Sequence, residues 1–330
     1  MRPEVVGFFH NPTFSVSYLV FDPAARRGLI IDPVLDYDHR SGHTSTGFAD
    51  ALLEDVRRRG IAIDWLLETH IHADHLSAQA YLREKLGVPT AIGAAAPVVQ
   101  ATFKAIYNLG SEFIADGSQY DRLLAEGEHL SVGGLTVEVM ATPGHTPACI
   151  SYRVRDALFH GDTLFMPDYG TARCDFPGGD AATLYRSIRR ILALPPETRL
   201  FNCHDYGPNG RAFAWETTVA AQRRDNIHIK DGIDEAAFAA MRRARQDIGG
   251  AGADPPGPSG QYPRRATAGA GIQRHRLSED SPQSDLRPIP GRSGERSAAA
   301  SPVLQSSAGR SPVVTRALSA APAPGEVWMP

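Results

Sequence analysis

The chain has 330 residues, 34 basic and 37 acidic side chains and a formal charge of −3. That length fits one large domain or two small ones, and a charge this near neutral argues against a general nucleic-acid binder. Three cysteines cannot form a disulfide framework in so long a chain, which points to a reducing compartment. The first residues lack the basic and apolar regions of a secretory signal, and no apolar run reaches the length of a membrane span, so a cytoplasmic protein is expected.

Residues 1–246 read as alternating strands and helices. Residues 15–21 alternate apolar and polar side chains and end at Asp22-Pro23. Residues 28–32 form a short apolar strand stopped by Pro33. Helical periodicity runs over 46–59 (Phe48, Leu52, Leu53, Val56) and ends at Gly60, a C-cap signal. A third strand over 63–69 leads straight into His70, and a helix over 77–86 is closed by Gly87. Segment 96–124 exceeds a simple connection. Its partly helical apolar face (Phe103, Ile106, Tyr107, Leu109) suits a cover for a site, a contact with a second copy, or a plain surface helix. Further strands are expected over 135–140, 157–160 and 200–203, and helices over 181–194 and 213–224. Two β-rich halves with helices outside predict an α/β fold, a four-layer αββα sandwich, without internal repeats.

Composition changes after Gln246. Residues 247–330 hold 12 of the 25 prolines, no lysine, no phenylalanine and one of the 12 histidines. Such a segment buries too little apolar surface to offset the entropy of ordering, so a disordered tail is expected. A linker or regulatory tail has this composition, and so has an out-of-frame continuation of a GC-rich gene.

The strongest chemical signal is His70-Ile71-His72-Ala73-Asp74-His75, where a strand gives way to a helix. Three imidazoles and a carboxylate within six residues are hard to explain as packing; neutral imidazole suits Zn, Fe, Cu or Ni, and carboxylate compensates charge. Thr142-Pro143-Gly144-His145-Thr146-Pro147 adds a histidine on a tight loop, Gly161-Asp162-Thr163 a carboxylate at a strand end, and Cys203-His204-Asp205-Tyr206 a last histidine. A Gly-Asp pair is usually only a turn; the coincidence of all four at strand ends is what carries weight.

These motifs, in this order, resemble the metallo-β-lactamase fold superfamily over residues 1–246. Its members include glutathione thioesterases, lactamases, nucleases and dioxygenases. The stretches Ile31-Asp32-Pro33-Val34-Leu35, Thr69 to Leu76, Pro143 to Cys149, Arg173-Cys174-Asp175-Phe176 and His204-Asp205-Tyr206 are most similar to the persulfide dioxygenases, in the bacterial β-lactamase-like branch linked to sulfide detoxification. The resemblance implies oxidation of glutathione persulfide by O2 to sulfite on one Fe(II) per chain, held by His70, His145 and Asp162. It places His72, Asp74, His75 and His204 around the iron, or on a second metal as in the hydrolases. Arg173 is the candidate for a glutathione carboxylate, with a surface or structural arginine as the alternative, and Tyr206 for a hydroxyl offered to substrate or bound oxygen. Asp175 reads as a supporting carboxylate, and Cys149, Cys174 and Cys203 as small buried fillers. The alternative is a glutathione thioester hydrolase with two Zn(II). Against it stands the absence of an added helical domain after the last histidine. A homo-oligomer is compatible with either reading.

Overall fold

The computed structural model describes residues 2–249, with side chains through Ala244. The first strands are β1 (Glu4–His10), β2 (Ser15–Asp22), β3 (Arg27–Ile31), β4 (Val34–Asp38), β5 (His43–Ser45), β6 (Ala62–Leu67), β7 (Leu76–Ser77), β8 (Thr90–Gly93) and β9 (Arg122–Leu124). They are followed by β10 (His129–Val132), β11 (Leu135–Ala141), β12 (Ile150–Val154), β13 (Ala157–Phe159), β14 (Arg199–Phe201) and β15 (Glu216–Thr218). The helices are α1 (Gly47–Arg59), α2 (Gln79–Leu86), α3 (Ala96–Ile106), α4 (Ala181–Leu192), α5 (Val219–Asp225) and α6 (Glu235–Gly249).

Two six-stranded mixed sheets run β1-β2-β3-β6-β8-β9 and β10-β11-β12-β13-β14-β15, and a small sheet joins β5, β4 and β7. Strand β2 is buried along its whole length, as a strand covered on both faces must be. Its period of two sends Val16, Tyr18 and Val20 to the other sheet, where they meet Val137, Tyr152 and Phe159. Leu19 and Phe21 face the opposite way, against Leu52, Leu53 and Val56 of α1 and Leu82 of α2. On the far side Leu158 and Leu200 pack under Leu184, Ile188 and Ile191 of α4 and Phe238 of α6. This is the expected αββα sandwich.

The caps read from sequence hold. Gly60 and Gly87 close α1 and α2 at φ +63° and +67°, where a Cβ would be strained. Asp180 caps α4 by accepting from Thr183 N at 2.7 Å. One expected helix is corrected. Residues 213–224 are not continuously helical: Glu216–Thr218 is an edge strand paired with β14, and α5 begins only at Val219. Thr218 decides this, since its side chain accepts from Ala221 N and so caps a helix starting after it. Helix α6 runs to Gly249, three residues past the expected boundary at Gln246; the rest of the expected tail lies outside the described residues. In segment 96–124, Val98, Ile106, Tyr107 and Ile114 remain exposed.

Candidate metal centre

The first ligand is placed by a chain of hydrogen bonds that starts at Asp32. This residue follows β3 in the left-handed region, φ +50°, which aspartate tolerates better than most. Its buried carboxylate accepts from Thr69 N at 2.7 Å and Thr69 Oγ1 at 2.8 Å. With the Thr69 hydroxyl so committed, its oxygen accepts from His70 Nδ1 at 3.0 Å. That bond leaves the lone pair on His70 Nε2, which lies 3.7 Å from Asp162 Oδ2. Burial and the neighbouring imidazoles push the His70 pKa well below its ordinary value, which keeps the ring neutral as a ligand must be.

His145 arrives on the turn after β11. Gly144 there has φ +137°, and a Cβ on it would lie 2.3 Å from Leu184 Cα, so only glycine lets the turn reach α4. His145 Nδ1 donates to the Arg173 carbonyl at 2.8 Å, and its Nε2 stands 3.6 Å from Asp162 Oδ2. Asp162 follows β13 through Gly161, where a Cβ would come within 2.4 Å of Thr69 Oγ1. All three residues are buried, and one ligand atom from each lies within 4.8 Å of the others. Asp162 Oδ1 is buried without a hydrogen-bond partner. Two neutral imidazoles and a carboxylate at these separations fit an ion about 2.0–2.2 Å from each, with coordination positions to spare.

The remaining four residues stand beside this triad rather than in it. His72 turns its Nε2 to Glu68 Oε2 at 3.1 Å and Asp32 Oδ1 at 3.3 Å. Burial alone would lower its pKa, but the charge of Asp32, with Glu68, outweighs it and holds His72 well above the usual histidine value. Burial pushes Glu68 up to about 7 despite His72. His204 Nε2 lies 3.3 Å from Asp74 Oδ2 and 3.4 Å from Asp162 Oδ1. His75 donates Nδ1 to the Leu76 carbonyl, while burial and His72 bring its pKa down to about 3. His72 Nδ1, His75 Nε2 and His204 Nε2 are buried without hydrogen-bond partners. Beside the triad, Asp162, Cys203 and His204 bring one ligand atom each within 4.8 Å of one another, and so do His72, His75 and Cys203.

The sequence reading passes over Glu68, Thr69 and Ser15. Glu68 carries a usable signal: a carboxylate at the end of an apolar strand, two residues before a histidine motif, is buried for a reason. Ser15, on β2, offers its hydroxyl to Asp74 and His204 at 3.4 Å, which no local pattern reveals.

Around the centre, Tyr206 lies parallel to the His204 ring, centroids 5.8 Å apart, and meets the Tyr169 ring at a tilt of 31°, centroids 4.6 Å apart. Burial, then the charges of Asp162 and Asp74, drive its pKa well up, and its hydroxyl has no hydrogen-bond partner among the described residues. Arg173 is held by Asp175 through two hydrogen bonds of 2.6 Å and lies over the Phe176 ring. Arg211 joins two loops of the site. It bonds Asp205, between His204 and Tyr206, at 2.6 and 2.7 Å, and Asp168, in the loop after Asp162, at 2.5 and 2.8 Å. Cys149, Cys174 and Cys203 are free and buried.

Comparison with known proteins places such a centre in a known fold family. The model of the metallo-beta-lactamase superfamily matches residues 10–204. A Burkholderia pseudomallei protein named as a probable metallo-hydrolase is 53% identical over 73% of this chain and 85% of its own. Glyoxylase B2 of Dictyostelium discoideum is 48% identical over 69% of this chain and 78% of its own. The mitochondrial persulfide dioxygenase ETHE1 of Mus musculus is 31% identical over 60% of this chain and 66% of its own. The solved structure of ETHE1 from Myxococcus xanthus superimposes with a TM-score of 0.58 and 29% identity, over 74% of this chain and 90% of that one. The ligand-bearing strand ends and the family match coincide: the chain belongs to the metallo-beta-lactamase superfamily, and its centre is a metal-binding site of that fold.

Proposed function

We propose that this enzyme is a mononuclear non-haem iron dioxygenase that oxidises glutathione persulfide to sulfite. The observation that carries the reading is the separation of His70, His145 and Asp162 from His72. The triad is a face of two imidazoles and one carboxylate, the arrangement suited to Fe(II) with positions left for O2 and a sulfur anion. His72 is engaged by Glu68 and Asp32 instead. Bound in the triad, Fe(II) supplies the redox chemistry that joins oxygen to the terminal sulfur. The chain's own part is to hold the ligands through Asp32, Thr69 and the Arg173 carbonyl, and to close the space beside them with Tyr206. The Tyr206 hydroxyl, without a protein partner among the described residues, is free to donate to substrate. Arg173 would take a glutathione carboxylate in exchange for Asp175, with which it shares the same fork geometry.

A second reading, a two-zinc glutathione thioester hydrolase, has its own support. The relatives at 48–53% identity carry glyoxylase and hydrolase names, while the dioxygenase name comes at 31%; on names alone the hydrolase is favoured. The unpartnered His75 Nε2 and His204 Nε2 would serve its second ion. Metal analysis of protein purified without added metal, followed by oxygen uptake on glutathione persulfide and cleavage of S-lactoylglutathione on that preparation, separates the two. One iron per chain with persulfide-dependent oxygen uptake is expected. Two zinc ions with fast thioester cleavage and no oxygen uptake would replace the proposal by the second reading.

A further inference from the structure

A line of hydrogen-bonding side chains leaves the metal centre on the side of the β1–β2 hairpin. It begins at Ser15, whose hydroxyl lies 3.4 Å from Asp74 Oδ2 and 3.4 Å from His204 Nδ1. Ser15 Oγ is 2.8 Å from Thr13 Oγ1, and Thr13 Oγ1 is 2.7 Å from His10 Nδ1. His10 Nε2 is 3.2 Å from Asp36 Oδ1. His10 is buried, whereas the Asp36 side chain is 28% exposed. The line therefore runs from the ligands to solvent. One consistent set of donors connects it: Ser15 donates to Thr13, Thr13 to His10 Nδ1, and His10 Nε2–H to the Asp36 carboxylate.

The ends of the line are fixed by packing. His10 sits at the end of β1, T-shaped to the Phe48 ring with centroids 4.9 Å apart, and Asp36 is pinned by accepting from Phe48 N at 2.8 Å with its other oxygen. A buried histidine placed between a threonine hydroxyl and a half-exposed carboxylate, at the end of a strand, contributes little to the apolar core. Its arrangement is that of a group passing protons.

We infer that Ser15, Thr13, His10 and Asp36 form a proton-exit relay, with His10 as its shuttle. The inference uses the proposed reaction, which must shed protons. A persulfide anion, O2 and water give a thiolate, sulfite and two protons: the terminal sulfur loses four electrons to O2, both oxygen atoms enter sulfite, and water supplies the third oxygen and both protons. Thioester hydrolysis also releases a proton, as the carboxylic acid formed ionises. The relay is thus testable on either substrate, and failure of the dioxygenase reading would show as the wrong substrate being turned over, not as a missing relay.

The test is the buffer dependence of kcat in the metal-loaded enzyme, which packing alone does not affect. His10→Ala should lower kcat about a hundredfold in dilute buffer, the low end of what a positioned proton-transfer group supplies, and leave KM and metal content within about twofold. Imidazole in the medium should restore most of the rate, and the solvent deuterium effect on kcat should exceed that of the parent. Asp36→Asn, which keeps an oxygen for Phe48 N, should show the same pattern more weakly and serves if the alanine variant does not fold. An unchanged kcat in dilute buffer, or a loss that neither buffer nor imidazole relieves, would overturn the relay.

Discussion

Replacing Asp32 probes the residue on which the metal centre is hung. Its carboxylate is 2% exposed and accepts from Thr69 N, Thr69 Oγ1 and His72 Nε2. In Asp32→Ala the two Thr69 donors lose their partner, at about 1–3 kcal/mol each, and alanine at φ +50° adds about 1 kcal/mol. Asp32→Asn keeps size, backbone and one acceptor oxygen but strands a single donor, for about 2 kcal/mol. At about 2–4 °C per kcal/mol for a domain of this size, alanine should lower the melting temperature by roughly 8–20 °C and asparagine by about half as much. The assay is thermal unfolding of metal-stripped protein, so that ligation does not contribute, followed by metal content after reloading. Both variants should rebind poorly, since Thr69 no longer orients His70. Burial alone would raise the Asp32 pKa, but His72 and Thr69 outweigh it and lower it. The carboxylate therefore stabilises the fold above its unfolded pKa, and the effect is lost as pH falls through the folded value; the gap between parent and Asp32→Asn should close in acid. Alanine within about 1 kcal/mol of the parent, or asparagine no milder than alanine, would refute this account.

Two further outcomes follow from packing. Gly144→Ala would push a Cβ into the Leu184 backbone, so α4 must shift; a destabilisation above about 3 kcal/mol and loss of bound metal are expected, and normal metal content in a stable variant would contradict the close approach. Burial pushes the thiol of Cys149 to about 12, that of Cys203 well above its usual value and that of Cys174 upward. A disulfide reagent at neutral pH should then find no reactive thiol in the native enzyme and three after unfolding. Rapid native labelling of Cys203 would show that the space behind His204 is open.

The cluster of histidines and carboxylates was legible because a strand end fixes backbone direction, so His70, His145 and Asp162, each placed at one, are brought together in the fold. The division between the triad and His72 comes from the resemblance and not from any local pattern, since Glu68 and Asp32, which engage that ring, follow different strands and meet it only in three dimensions. The local reading misses Thr218 as a cap: 213–224 reads as one helix, yet Glu216–Thr218 pairs with β14 and the helix starts only after Thr218. Nor could local periodicity show that Ser15, buried on β2, serves Asp74 and His204 from a segment far away in sequence.

The guanidinium of Arg211 has a consequence for motion. By bonding both Asp168 and Asp205, it ties the loop that follows Asp162 to the loop that carries His204, and the Tyr169–Tyr206 ring contact spans the same gap. Neither loop can open without breaking the other's contacts, so the two behave as one cooperative unit in local unfolding. Amide exchange in 164–171 and 203–214 should then share one opening free energy.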